Sequence, residues 1–249
     1  MTTDHRYRAR DAVATFDRLG IALPDPVLDA VAALDQVDAA RPEQPDPGAV
    51  AQLIADGAPA KTVTAALEAS ALHGAHLSAW QQARQITGRR VTTAILDHAS
   101  ELHAALAEQA DTAIAILEAD AHIDKPLAEL VRTGETDAAR TVAGADHAAE
   151  LLDSLGTVRD LWLKPLGSTH DASGVNCGTW RDPRALDGRL HGATTPREVF
   201  RMGIRAGGQL WFPTVDEARA AAEKIATQLR AKAEAEAAAT RGAGGLTSF

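Results

Sequence analysis

The chain has 249 residues, 45% apolar and 24% charged, with a formal net charge of −9 and a single cysteine. That length supplies a real core in one large domain or two modest ones, and no apolar run approaches the roughly 20 residues of a membrane span. One cysteine excludes an internal disulfide framework and suits a reducing, cytoplasmic setting.

The first segment, MTTDHRYRARDAV, is polar and lacks the apolar stretch of a secretory signal. A first helix is expected from about Asp4 to Leu19, stopped by Gly20. Leu23-Pro-Asp-Pro26 starts a second, which ends before Pro42. Asp46-Pro47 repeats that start signal for a short helix ending at Gly57. These short helices form an N-terminal segment, 1–57.

A long-helix body is expected over 58–163. Residues 59–121 read as almost continuous helix, with a break at Thr87-Gly88-Arg89-Arg90. Beyond it Val91, Ile95, Ala99, Leu102, Leu106, Ala110, Ala113 and Leu117 recur every three or four residues. Their mean step is nearer an eleven-residue repeat than a heptad, as in a bundle or a nearly straight coiled-coil-like pairing. Between Phe16 and Trp162 the only aromatic is Trp80, so these helices must pack through Ala, Leu, Val and Ile. Asp124-Lys125-Pro126 opens a short helix ending at Gly134, and another runs from about Thr136 to Leu163. Leu151, Leu155, Val158 and Trp162 share one face of it, which makes Trp162 an anchor between the helical body and the C-terminal part.

Residues 164–213 form an irregular, aromatic-rich subdomain. Gly, Ser, Asp and Pro recur too often in 164–194 for regular structure. Thr195-x-x-Glu198 is a capping box that starts a helix over 196–205. Gly207 to Pro213 is the best strand candidate, and it needs a partner from the irregular stretch or another subunit. Thr214-x-x-Glu217 is a second capping box, opening a helix to about Ala239 and a disordered tail within 214–249. The fold class is therefore mainly α: long antiparallel helices in a bundle or coiled-coil-like body, with a small irregular C-terminal part holding at most a short strand or two.

Charge divides along the chain. Residues 1–157 hold 12 Lys and Arg against 24 Asp and Glu, while 158–212 hold 8 against 5. The acidic part repels nucleic acid and anionic membranes. Arg197, Arg201 and Arg205 are four apart on one helix face, beside Phe200, Trp211 and Phe212. Such a face can grip a phosphate backbone with Trp211 as a stacking platform, or pair with the acidic helices of the same protein. His170, Cys177 and His191 are the one cluster suited to a thiolate–imidazole site or a metal. Their spacings of 7 and 14 are not those of paired ligands, and no nucleotide-binding, nucleophile-elbow or zincin motif is present. His73, His76, His98 and His103 read as helix-surface residues.

The leading expectation is a non-enzymatic structural or assembly protein that self-associates, with no cofactor and no metal. Its partner would be itself or another protein, met through helical surfaces. Its layout is similar in style to assembly and accessory proteins of phages and mobile elements in GC-rich bacteria, which makes the virion an alternative location. The next readings are a nucleic-acid-binding module acting through Arg197, Arg201, Arg205 and Trp211, and then an enzyme using Cys177 with His170 or His191.

Overall fold

A computed structural model describes residues 5–44, 46, 48–164, 171–172 and 175–244. They form two compact units, Met1–His98 and Ala99–Phe249. The chain is mainly α, with nine α-helices among the described residues.

The first unit holds α1 (His5–Arg18), α2 (Asp25–Ala39), α3 (Ala49–Ala55) and α4 (Ala60–Asp97). The three shorter helices pack on α4, which at 38 residues is about 57 Å long. The core is small: Ala9, Ala12 and Phe16 of α1 and Val27 and Leu34 of α2 are buried, with Val91 and Ile95 of α4. Polar ties sit at its edge. The Trp80 indole N–H donates to the Val37 carbonyl at 2.7 Å, and the Arg84 guanidinium lies over the Trp80 ring while pairing with Asp38.

The break expected at Thr87–Arg90 does not occur, because α4 runs through it. Gly88 marks a tertiary contact instead: a Cβ there would lie 2.8 Å from the Arg6 backbone nitrogen. Glycine lets the start of α1 cross directly over α4. The interruption falls at His98, with neither Gly nor Pro to announce it. The seam read as continuous from Val91 to Leu117 is accordingly cut in two, and it is not one coiled coil. The unit boundary falls inside 58–163, so residues 58–97 belong with the N-terminal helices that bury their faces on them.

The second unit holds α5 (Ala99–Ala121), α6 (Leu127–Thr133), α7 (Thr136–Trp162), α8 (Pro196–Arg205) and α9 (Val215–Gly244). Here α5 packs along α7, and α8 contacts both. Leu102, Leu106, Ala110, Ala113 and Leu117 of α5 are buried, as are Ala145, Ala148, Ala149, Leu152, Leu155 and Val158 of α7. Leu and Ala share the contact almost equally, and none of these residues carries a ring.

The rings gather after α7. Trp162 is buried at its end, Trp180 packs on Phe200 with centroids 6.0 Å apart, and a Cβ on Gly203 would collide with the Trp180 ring. Strand content is minimal. Asp171–Ala172 pairs antiparallel with Val175–Asn176, and the candidate over 207–213 makes one antiparallel bridge, Leu210 with Trp180. Its partner is thus the irregular stretch of the same chain. Both capping boxes form: Thr195 with Glu198, and Thr214 with Glu217 through reciprocal bonds of 2.8 and 3.2 Å. The α9 helix continues to Gly244, past the expected end at Ala239, and the rest of the expected tail lies outside the described residues.

Candidate functional site

Arg197, Arg201 and Arg205 do line one face of α8, and that face is spent inside the protein. Arg197 donates to both oxygens of Asp120, from Nη2 at 2.6 Å and from Nε at 3.1 Å. Asp120 is only 1% exposed. Hydrogen bonding to Asp120 raises the Arg197 pKa above its ordinary value, outweighing desolvation, with Asp146 adding to the effect. Arg205 donates to the Ala121 carbonyl at 2.7 Å and to Asp124 at 2.5 Å, and Arg201 donates to the Ile123 carbonyl. A helix leaves its last four carbonyls without intrahelical partners and carries partial negative charge there. The arginine row of α8 caps the C-terminal end of α5 and the turn beyond it.

The Trp211 ring is likewise occupied. Its N–H donates to the Cys177 carbonyl at 2.8 Å and Arg181 lies over its face. Arg197, Arg201, Arg205 and Trp211 thus each have a hydrogen-bond partner within the chain.

Cys177 is fully buried, packed with Ala222 and Ile225 of α9 and with Val175, Trp211 and Ala221. His191 is exposed, and His170 lies outside the described residues. Among the described residues no three metal-ligating side chains come together. A thiol in an apolar core is a packing group rather than an accessible nucleophile.

Arg159 organises this region, though in sequence it counts only toward basic charge. It is 2% exposed and donates to Asp160 at 2.8 Å, to the Gly178 carbonyl at 2.7 Å and to the Pro213 carbonyl at 3.3 Å. It also lies over Phe212, which stacks on His103 at 5.3 Å. The available signal was its register: Arg159 follows Leu155 by four and precedes Trp162 by three, on the buried face of α7. His103, read as a surface residue, instead has its Nε2 buried, with no hydrogen-bond partner among the described residues.

Two cavities border these groups. One of about 700 Å³ is lined by Asp124, Asp146, Arg197 and Arg201 among others, whose charges are already paired with one another. One of about 340 Å³ includes Ser100, Arg159, Asp216 and Arg219, and there Arg219 pairs with Asp216.

Within the first unit, the outer face of α4 carries exposed side chains. Its inner face, with Trp80, Arg84, Val91 and Ile95, meets the other helices of the first unit. On the outer face Leu72 is 57% and Ile86 50% exposed, while Leu67, 53% exposed, lies on a different side of the helix. Ala75 and Ala79 are exposed between Leu72 and Ile86, and Ala65 is exposed before Leu72. Ala65, Leu72, Ala79 and Ile86 recur at intervals of seven, which a straight helix carries along one gently drifting stripe. That spacing was visible in sequence, but which side of α4 would be covered was not. Among the described residues, no helix is long and apolar enough to cross a membrane. No protein-family model matches the chain, and neither a curated protein nor a solved structure resembles it significantly.

Proposed function

We propose that the chain is a non-enzymatic assembly protein that acts by self-association through its helical surface. The observation that carries this reading is the exposed apolar row on α4, centred on Leu72 and Ile86. Scattered exposed apolar residues are ordinary on a soluble protein, whereas a row along one helix face marks an interaction surface. Support also comes from the way the alternative sites are used up, since the α8 arginines cap a helix and Cys177 is core. Sedimentation velocity on the full chain over a micromolar concentration series tests the reading. Concentration-dependent association is expected, and a compact monomer throughout the series would refute it.

A further inference from the structure

We infer that α4 pairs with α4 of a second copy, antiparallel, about a two-fold axis passing through Ala79. The inference rests on the self-association reading and adds the face, the orientation and the register. In a symmetric antiparallel pair, each residue meets the one equally far from the axis on the other side. Leu72 and Ile86 each stand 7 residues from Ala79, Glu68 and Arg90 stand 11, and Lys61 and Asp97 stand 18.

Helix geometry puts all of them on one stripe. At 100° per residue, 18 residues make five whole turns, and steps of 7 or 11 return to within about 20° of the start. All seven residues are exposed, and among the described residues none of Lys61, Glu68, Arg90 and Asp97 is in an ion pair. The antiparallel arrangement sets Leu72 against Ile86 on either side of a small-residue centre at Ala79, where the helices can approach closely. It also sets Glu68 against Arg90 and Lys61 against Asp97, each twice. A parallel arrangement in register sets Glu68 against Glu68, Arg90 against Arg90, Lys61 against Lys61 and Asp97 against Asp97. The charges therefore favour one orientation and oppose the other.

The test uses the full chain with changes at four exposed sites. Glu68→Arg turns two attractions into two repulsions and should weaken the dimer about tenfold. Arg90→Glu should do the same, and the double charge reversal should restore association to near the wild-type level. Ala79→Cys should form a covalent dimer on mild oxidation, whereas Leu67→Cys, about 120° away around the helix, should not. The native Cys177 is buried, so it does not confuse the result. If association persists but ignores the charge changes, and Leu67→Cys cross-links as well as Ala79→Cys, the pairing is overturned while self-association stands. If the wild-type chain stays monomeric, both fall.

Discussion

The same substitution at two glycines of α4 should change stability in opposite directions. Replacing Gly by Ala inside an exposed helix gains about 1 kcal/mol by removing backbone freedom from the unfolded chain. At Gly74 an added Cβ meets nothing within 4 Å, so Gly74→Ala should realise that gain. At Gly88 the added Cβ would stand 2.8 Å from the Arg6 nitrogen and 2.9 Å from both the Arg6 Cα and the His5 carbonyl carbon. Ordinary carbon contacts lie at about 3.5–4.0 Å, and backbone atoms cannot rotate aside, so the start of α1 must lift away. Overpacking of this kind costs about 1–3 kcal/mol. Set against the propensity gain, Gly88→Ala should lose up to about 2 kcal/mol, and Gly88→Val more, because it adds bulk with little gain in propensity. Urea unfolding followed by circular dichroism gives the sign, and amide exchange over His5–Arg18 locates it, since only the Gly88 variants should lose protection in α1. Gly88→Ala stabilising the protein as much as Gly74→Ala does would refute the close-crossing argument.

The Arg197–Asp120 pair should be asymmetric. Arg197→Ala leaves a carboxylate that is 1% exposed with no other cation paired to it among the described residues, at a cost of about 3–5 kcal/mol. Asp120→Ala leaves a guanidinium that is 20% exposed and still has Asp146 at 3.3 Å, so the loss should fall below that range; denaturation showing equal costs or the reverse order would count against the buried clamp. The first unit should weaken in acid through Asp38. Burial pushes the Asp38 pKa up, but hydrogen bonds from Arg10 and Arg84 outweigh it and hold the carboxyl below its ordinary value. A depressed folded-state pKa means the stabilisation is complete above the unfolded value of about 4 and is lost as pH falls below it. Asp38→Asn should flatten that limb of the stability profile, and an unchanged acid limb would show that other carboxylates dominate.

Local signals in the sequence translated well, and long-range ones did not. The capping boxes at Thr195 and Thr214 are complete within four residues, so their geometry follows from the residues present. Gly88 misleads because glycine has two uses, ending a helix or admitting a neighbour's backbone, and only the fold shows that α1 passes there. The four-residue spacing of Arg197, Arg201 and Arg205 was legible as a face. Its counter-surface was not, because Asp120 lies 77 residues earlier. The role of Arg159 is not legible for a similar reason, since the carbonyls it ties down belong to Gly178 and Pro213, 19 and 54 residues away. Of the histidine–cysteine cluster, Cys177 could be placed as core, while His170 lies outside the described residues.

Charges separate the two units by use rather than by number. In the second unit Arg159 and the α8 arginines hold carbonyls and carboxylates of their own chain: Arg159 anchors the irregular stretch, and the α8 row closes the end of α5. Changing them should read out as lost stability, not as lost recognition. In the first unit the reverse holds along α4, where four charged side chains and two large apolar ones lie on one stripe, exposed and, among the described residues, outside any ion pair. Exposed groups contribute little to the isolated fold, so substitutions there should leave unfolding nearly unchanged while altering association. A surface whose pattern is ordered but whose order does nothing for the monomer is best explained by what it meets. The ordered stripe on α4 suits the proposed pairing with a second copy, so substitutions there are expected to register in association and those in the aromatic C-terminal region in stability.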